Sequence, residues 1–161
     1  NGIFEMKYNL PIFISQPYIY IANNYDNLDT LIKELPKYSF GLKGLFPLWA
    51  LTGIKFIYPK IVDFPIFVNK TELTTVTLFY DAFYDFGIAG VAVFSTGLGC
   101  IGYFFEKMIR STRHATFYII YAQVFIYLAL SFFTTWFSNP ATWFYLIVTL
   151  SIFFICEQRG S

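Results

Sequence analysis

The chain has 161 residues, of which 57% are hydrophobic and 13% charged, about half the charged share of an ordinary soluble domain. Eleven basic residues face ten acidic ones for a formal net charge of +1, so no electrostatic footprint points to DNA or RNA. Cys100 and Cys156 sit inside apolar runs, which argues against a disulfide framework, and no Cys/His spacing offers a metal site.

Residues 1–70 carry seven lysines, no arginine and prolines at Pro11, Pro17, Pro36, Pro47, Pro59 and Pro65. Tyr8 to Tyr25 is free of charge, but Pro11, Pro17, Asn9, Gln16, Asn23 and Asn24 disfavour a continuous lipid-exposed helix, because freed backbone groups would lack partners. The segment is placed outside the bilayer core. Leu28, Leu31, Ile32 and Leu35 recur at helical spacing and stop at Pro36, predicting a short amphipathic helix. Gly44 to Ile54 is apolar but too short to span and fits an interfacial segment.

From Asn69 the pattern changes. Asn69-x-x-Glu72 has the form of a capping box, and no proline follows until Pro140, so one helix is expected from about Thr71 to Arg110. Phe86–Phe105 is 20 residues without charge, and Ala115–Cys156 is 42, whereas one span needs about 20. The reading is an all-α integral membrane protein with about three transmembrane helices, near 84–106, 115–137 and 140–156, behind an outward region, 1–70, of short helices. Ala92, Ser95, Gly99 and Gly102 form a small-residue stripe that a neighbouring helix is expected to cover.

Lys107, Arg110 and Arg113, beside His114, separate the first two spans, whereas Ser138-Asn139-Pro140 is uncharged and flanked by Trp136 and Trp143. Basic short loops mark the cytoplasmic side and aromatic belts the interfaces. Residues 1–85 are therefore expected outside and the C-terminus in the cytoplasm. The chain opens on Asn1 with no basic-then-apolar leader and is expected to be a piece of a longer protein.

Candidate chemistry gathers at Tyr80-Asp81-Ala82-Phe83-Tyr84-Asp85-Phe86-Gly87, where Asp81 and Asp85 lie four apart on one helical face. Such a pair could take a proton from a sugar hydroxyl or bind a cation; the plainer reading is two acids solvated at the membrane rim. Tyr80 and Tyr84 could stack on sugars or sit at an interface, and Asn69 and Lys70 are candidate substrate contacts beside them. No cofactor motif is present: there is no nucleotide-binding glycine loop and no Ser/His/Asp arrangement.

The order Gln16-Pro17-Tyr18-Ile19-Tyr20, Asn24-Tyr25-Asp26-Asn27-Leu28, Phe40-Gly41-Leu42, Phe46-Pro47-Leu48 and Thr77 before Tyr84-Asp85-Phe86-Gly87-Ile88-Ala89-Gly90 resembles the C-terminal part of Wzy-type polymerases. Ser131-Phe132-Phe133-Thr134-Thr135-Trp136-Phe137-Ser138-Asn139-Pro140 resembles the family's last helical hairpin. The resemblance implies a glycosyltransferase of the bacterial cytoplasmic membrane that joins undecaprenyl-diphosphate-linked repeat units into O-antigen or capsular polysaccharide. It implies as partners those lipid-linked oligosaccharides and membrane lipids, with a chain-length regulator and a flippase alongside, and no nucleic acid. The family's frequent Asn-x-x-Thr becomes Thr74-Thr75-Val76-Thr77, and Tyr80 stands where an arginine is frequent. The external arginines thought to hold diphosphate are then expected in an N-terminal portion outside this sequence. The competing readings are a transporter or flippase of lipid-linked sugars, against which Gln123 is the only long polar side chain in an expected span, and a noncatalytic membrane subunit.

Overall fold

The computed structural model describes residues 11–111 and 115–160, with side chains to Ile155. Arg113 and His114 lie outside the described residues, as do the side chains of Cys156, Glu157 and Arg159. All regular structure among the described residues is helical: α1 Ile12–Glu34, α2 Phe46–Leu51, α3 Ile54–Ile57, α4 Leu78–Ser111, α5 Ala115–Ala129 and α6 Pro140–Gly160.

The N-terminal segment departs from its expectation. Instead of a short helix after an irregular stretch, α1 runs 23 residues straight through Pro17. Pro17 falls in the second turn, where it leaves one carbonyl, that of Phe13, without its helical donor. Two asparagines that argued against a helix, Asn23 and Asn24, together with Asn27 are what tie it down. Asn23, Asn24 and Asn27 are buried, and each spends its amide on backbone carbonyls elsewhere. Asn23 donates to Leu73 O at 3.0 Å, Asn24 to Phe132 O and Phe133 O at 2.8 and 3.1 Å, and Asn27 to Leu73 O and Thr75 O at 2.9 and 2.8 Å. Asn27 Oδ1 also accepts the Asn69 N–H at 2.9 Å. The amide donors are thereby matched, although Asn24 Oδ1 is buried without a hydrogen-bond partner among the described residues. The predicted stop holds: α1 ends before Leu35 and Pro36.

The same clasp explains why α4 begins at Leu78 and not near Thr71. The carbonyls of Leu73 and Thr75 are held by α1, so the stretch before Leu78 cannot wind into a helix, and Asn69 serves Asn27 rather than a helix start. Likewise α5 stops at Ala129 instead of continuing to 137, since the carbonyls of Ser131, Phe132 and Phe133 accept Leu78 N–H and the Asn24 amide. A 3-10 turn at Trp136–Ser138 then leads into α6.

The helix α4 is two arms in one. Gly87 has φ 63° and ψ −148°, a conformation open to glycine, and the chain turns sharply there. Carbonyls of Tyr84 and Asp85, freed by the break, accept the N–H groups of Ser39 and Phe40 at 3.1 Å each. The arms close on Gly90, where a Cβ would strike the Ala82 carbonyl and lie 2.8 Å from Phe86 Cβ. Leu31, Tyr80, Phe83 and Tyr84 form the core between α1 and the first arm, each burial contributing roughly 1.5–3 kcal/mol.

The second arm of α4 packs antiparallel to α5, and α5 to α6. Leu98, Ile120 and Val124 are buried between them, Phe117 meets Phe153 at 5.0 Å, and Gln123 Nε2 donates to Thr149 Oγ1 at 3.0 Å. Among the described residues α4 is the one helix long and apolar enough to cross a membrane; Ala115–Ala129 and Pro140–Ile155 are shorter apolar helices. The small-residue stripe is mostly uncovered: Ala92, Ser95 and Gly99 are exposed, and only Gly102 meets α5, with Leu128 Cδ1 3.9 Å from a Cβ built there.

Candidate functional site

The loop from Pro36 to Leu45 folds over the first arm of α4 and decides what the two carboxylates do. Asp85, 4% exposed, accepts the Ser39 hydroxyl, the Lys43 N–H at 3.1 Å and the Gly44 N–H at 2.7 Å. A carboxylate offers about four lone-pair sites, so little of Asp85 is left for a ligand. Position 44 needs glycine, because a Cβ would stand 2.7 Å from Asp85 Oδ2. Position 87 does too, with a Cβ 2.8 Å from Tyr38 Oη.

Asp81 is used differently. Its Oδ1 lies 3.7 Å from Lys43 Nζ, and Ser138 and Thr135, from the turn before α6, line the same cleft beside it. The Lys43 ammonium rests over the rings of Tyr84, Phe64 and Tyr80 at 4.7, 5.4 and 5.7 Å, a cation–π enclosure that holds a charge out of water. Among the described residues that ammonium has an ion pair and three rings but no hydrogen bond within normal distance, so its N–H donors remain available.

Two cavities meet at this pair. A cleft of about 270 Å³ is lined by Lys43, Tyr80, Asp81, Thr135 and Ser138, with Phe64 behind them. A groove of about 980 Å³ starts at Asp81, Asp85 and Ser138 and runs between α4 and α6 over Ile120 and Val124 of α5. Asp81 and Ser138 line both.

The expected site residues therefore separate. Asp81 and Asp85 are buried, not solvated at a rim, because the Pro36–Leu45 loop covers them. Tyr80 is 1% exposed; its hydroxyl donates to Phe67 O and accepts the Phe67 N–H, both at 2.9 Å, and Tyr84 is core beneath Lys43. Neither ring lies open for stacking. Asn69 and Lys70 line neither cavity. What sequence reasoning missed is Lys43, with Ser39, Thr135 and Ser138; the available signal was a lysine set between Gly41 and Gly44 in a chain otherwise sparing of glycine before α4.

A carboxylate and an ammonium 3.7 Å apart, both turned to one cleft, can hold a hydroxyl between an acceptor and a donor, and the carboxylate can take its proton. No family model, characterised protein or solved structure matches the chain.

Proposed function

We propose that this chain is the C-terminal, membrane-embedded part of a polymerase that joins undecaprenyl-diphosphate-linked oligosaccharide repeat units, the Wzy-type class its motifs resemble. The observation that carries the reading is the Lys43–Asp81 pair, secluded at the mouth of an apolar groove within the motif region of the resemblance. In this reading the second arm of α4, with α5 and α6, crosses the bacterial cytoplasmic membrane. The Lys43 cleft faces outward and the C-terminus faces the cytoplasm. Support for the spans comes from large apolar side chains exposed on all three helices, such as Ile88, Val93, Phe125 and Phe154, a surface that water does not favour. Lys107 and the Glu106–Arg110 pair sit at the inner rim.

Asp81 accepts the proton of the attacking sugar hydroxyl as the new glycosidic bond forms and undecaprenyl diphosphate leaves the other repeat unit. Asp85 keeps Lys43 in place through the loop. Deleting the gene is expected to reduce surface polysaccharide to single repeat units. Unchanged chain length contradicts the proposal.

A further inference from the structure

Helix α1 has two patterned faces, and the fold covers one of them. Asn23, Asn24, Asn27 and Leu31 are buried against the rest of the chain. On another side Ile14, Tyr18, Ile21, Tyr25 and Ile32 are exposed, with Leu28, partly buried at the edge of the core, between the last two. These six residues follow one another at intervals of four, three, four, three and four, the a/d seam of a coiled coil. At 100° per residue they fall within about 80° of the helix circumference, and they extend over about 27 Å of its length. We propose that this seam is a homodimer interface, on which α1 of a second copy of this chain packs antiparallel.

Three observations select that occupant. The first is width: a strip confined to a and d positions is the seam of a helix pair, narrower than the stripe a helix turns toward a broad apolar surface. The second is the charge beside it. The polar positions of α1 hold Asp26, Asp29 and Glu34 against Lys33, and Lys33 is already paired with Asp29. A helix that lies on a bilayer carries lysines and arginines on its polar face, whereas this one repels an anionic surface. The third is symmetry. The intervals read the same in both directions, as an isologous two-fold contact requires. Reversed about Asn23, the seam of one copy meets that of the other as Ile14 on Ile32, Tyr18 on Leu28 and Ile21 on Tyr25. All four charges of α1 lie after Tyr25, so the antiparallel register sets them beside the uncharged first half of the other helix. A parallel copy would bring acid against acid. Each copy's own fold attaches along Asn24 and Leu31, beyond the edge of the seam, and leaves the approach open. The interface does not depend on the chemistry at Lys43 and Asp81.

The test is cross-linking of the full-length protein in native membranes, its own cysteines replaced, with a short bismaleimide. Ile14→Cys and Ile32→Cys in one chain are expected to give a covalent dimer. Either substitution alone is expected to give none, since the two copies of each residue stand about 27 Å apart across the axis. Ile21→Glu or Tyr25→Glu, each at a position exposed in the single copy, puts carboxylates into the seam. Each is expected to weaken the dimer at least tenfold, read by light scattering over a dilution series in mild detergent, with helicity retained in circular dichroism; should one variant not fold, the other decides. A wild-type protein that is monomeric throughout overturns the proposal, as does a dimer untouched by a folded glutamate variant, or a single cysteine that cross-links as well as the pair.

Discussion

Asp81 and Asp85 are chemically identical and four residues apart, and their surroundings give them opposite work. Asp85 is spent on Ser39, Lys43 and Gly44 backbone and hydroxyl donors, so Asp85→Ala leaves buried N–H groups without acceptors and is expected to destabilise the protein by on the order of 3 kcal/mol. Chemical denaturation of the purified protein measures this; a loss below about 1 kcal/mol contradicts the role. Asp81→Asn keeps its shape but leaves the enclosed Lys43 ammonium without its ion pair, and is expected to alter function and to lower stability by about 3 kcal/mol. Gly87→Ala should cost about 1–3 kcal/mol, since its backbone lies in a region that glycine alone adopts freely, and the added methyl meets Tyr38. The Tyr-Asp-Phe-Gly run was visible in the sequence, but its meaning was not: spacing shows that two carboxylates share a face and cannot show that a loop forty residues upstream covers both and hydrogen-bonds to one of them.

Among the elements, α1 acts as a clasp. Its asparagines hold the ends of two segments, before α4 and after α5, that would otherwise continue as helix. Asn27→Ala removes the acceptor of the Asn69 N–H and the donor to Leu73 and Thr75. Hydrogen exchange at the Asn69 amide is expected to speed up markedly, while amides within α6, far from the clasp, stay protected; unchanged exchange at Asn69 contradicts the clasp. Helix periodicity was legible where apolar spacing was strong, in Leu28–Leu35 and in the apolar runs of α4 to α6. The start of α4 and the end of α5 were not, because they are set by side-chain amides reaching across the fold to carbonyls that no local pattern marks. Pro17 misled for the same reason, as the loss of one helical hydrogen bond is small beside the six tertiary hydrogen bonds of three asparagines. Between α5 and α6, Thr149→Val removes the partner of Gln123 and is expected to cost about 1 kcal/mol, the net worth of one intramolecular hydrogen bond, read as a small shift in thermal unfolding.

At the scale of the molecule, a loop-and-clasp layer sits on a bundle of three apolar helices, and the Lys43–Asp81 pair lies where the two meet. The composition alone made a helical membrane protein the natural expectation; all regular structure among the described residues is helical, and one helix, α4, is long and apolar enough to span. The location of a secluded ion pair between a polar cleft and an apolar groove required the fold, because Lys43, Asp81 and Ser138 are spread over nearly a hundred residues of sequence. In the function proposed above, the labour divides: the bundle would lie against lipid chains, and the layer above it holds a charged pair out of water where a sugar hydroxyl would reach it. The most direct test is the chain-length distribution of surface polysaccharide in gene-deleted cells carrying the full-length wild-type protein or its Asp81→Asn variant at equal protein level. Single repeat units with the variant, beside a full ladder with the wild type, are the predicted result, and a full ladder from Asp81→Asn would contradict the account.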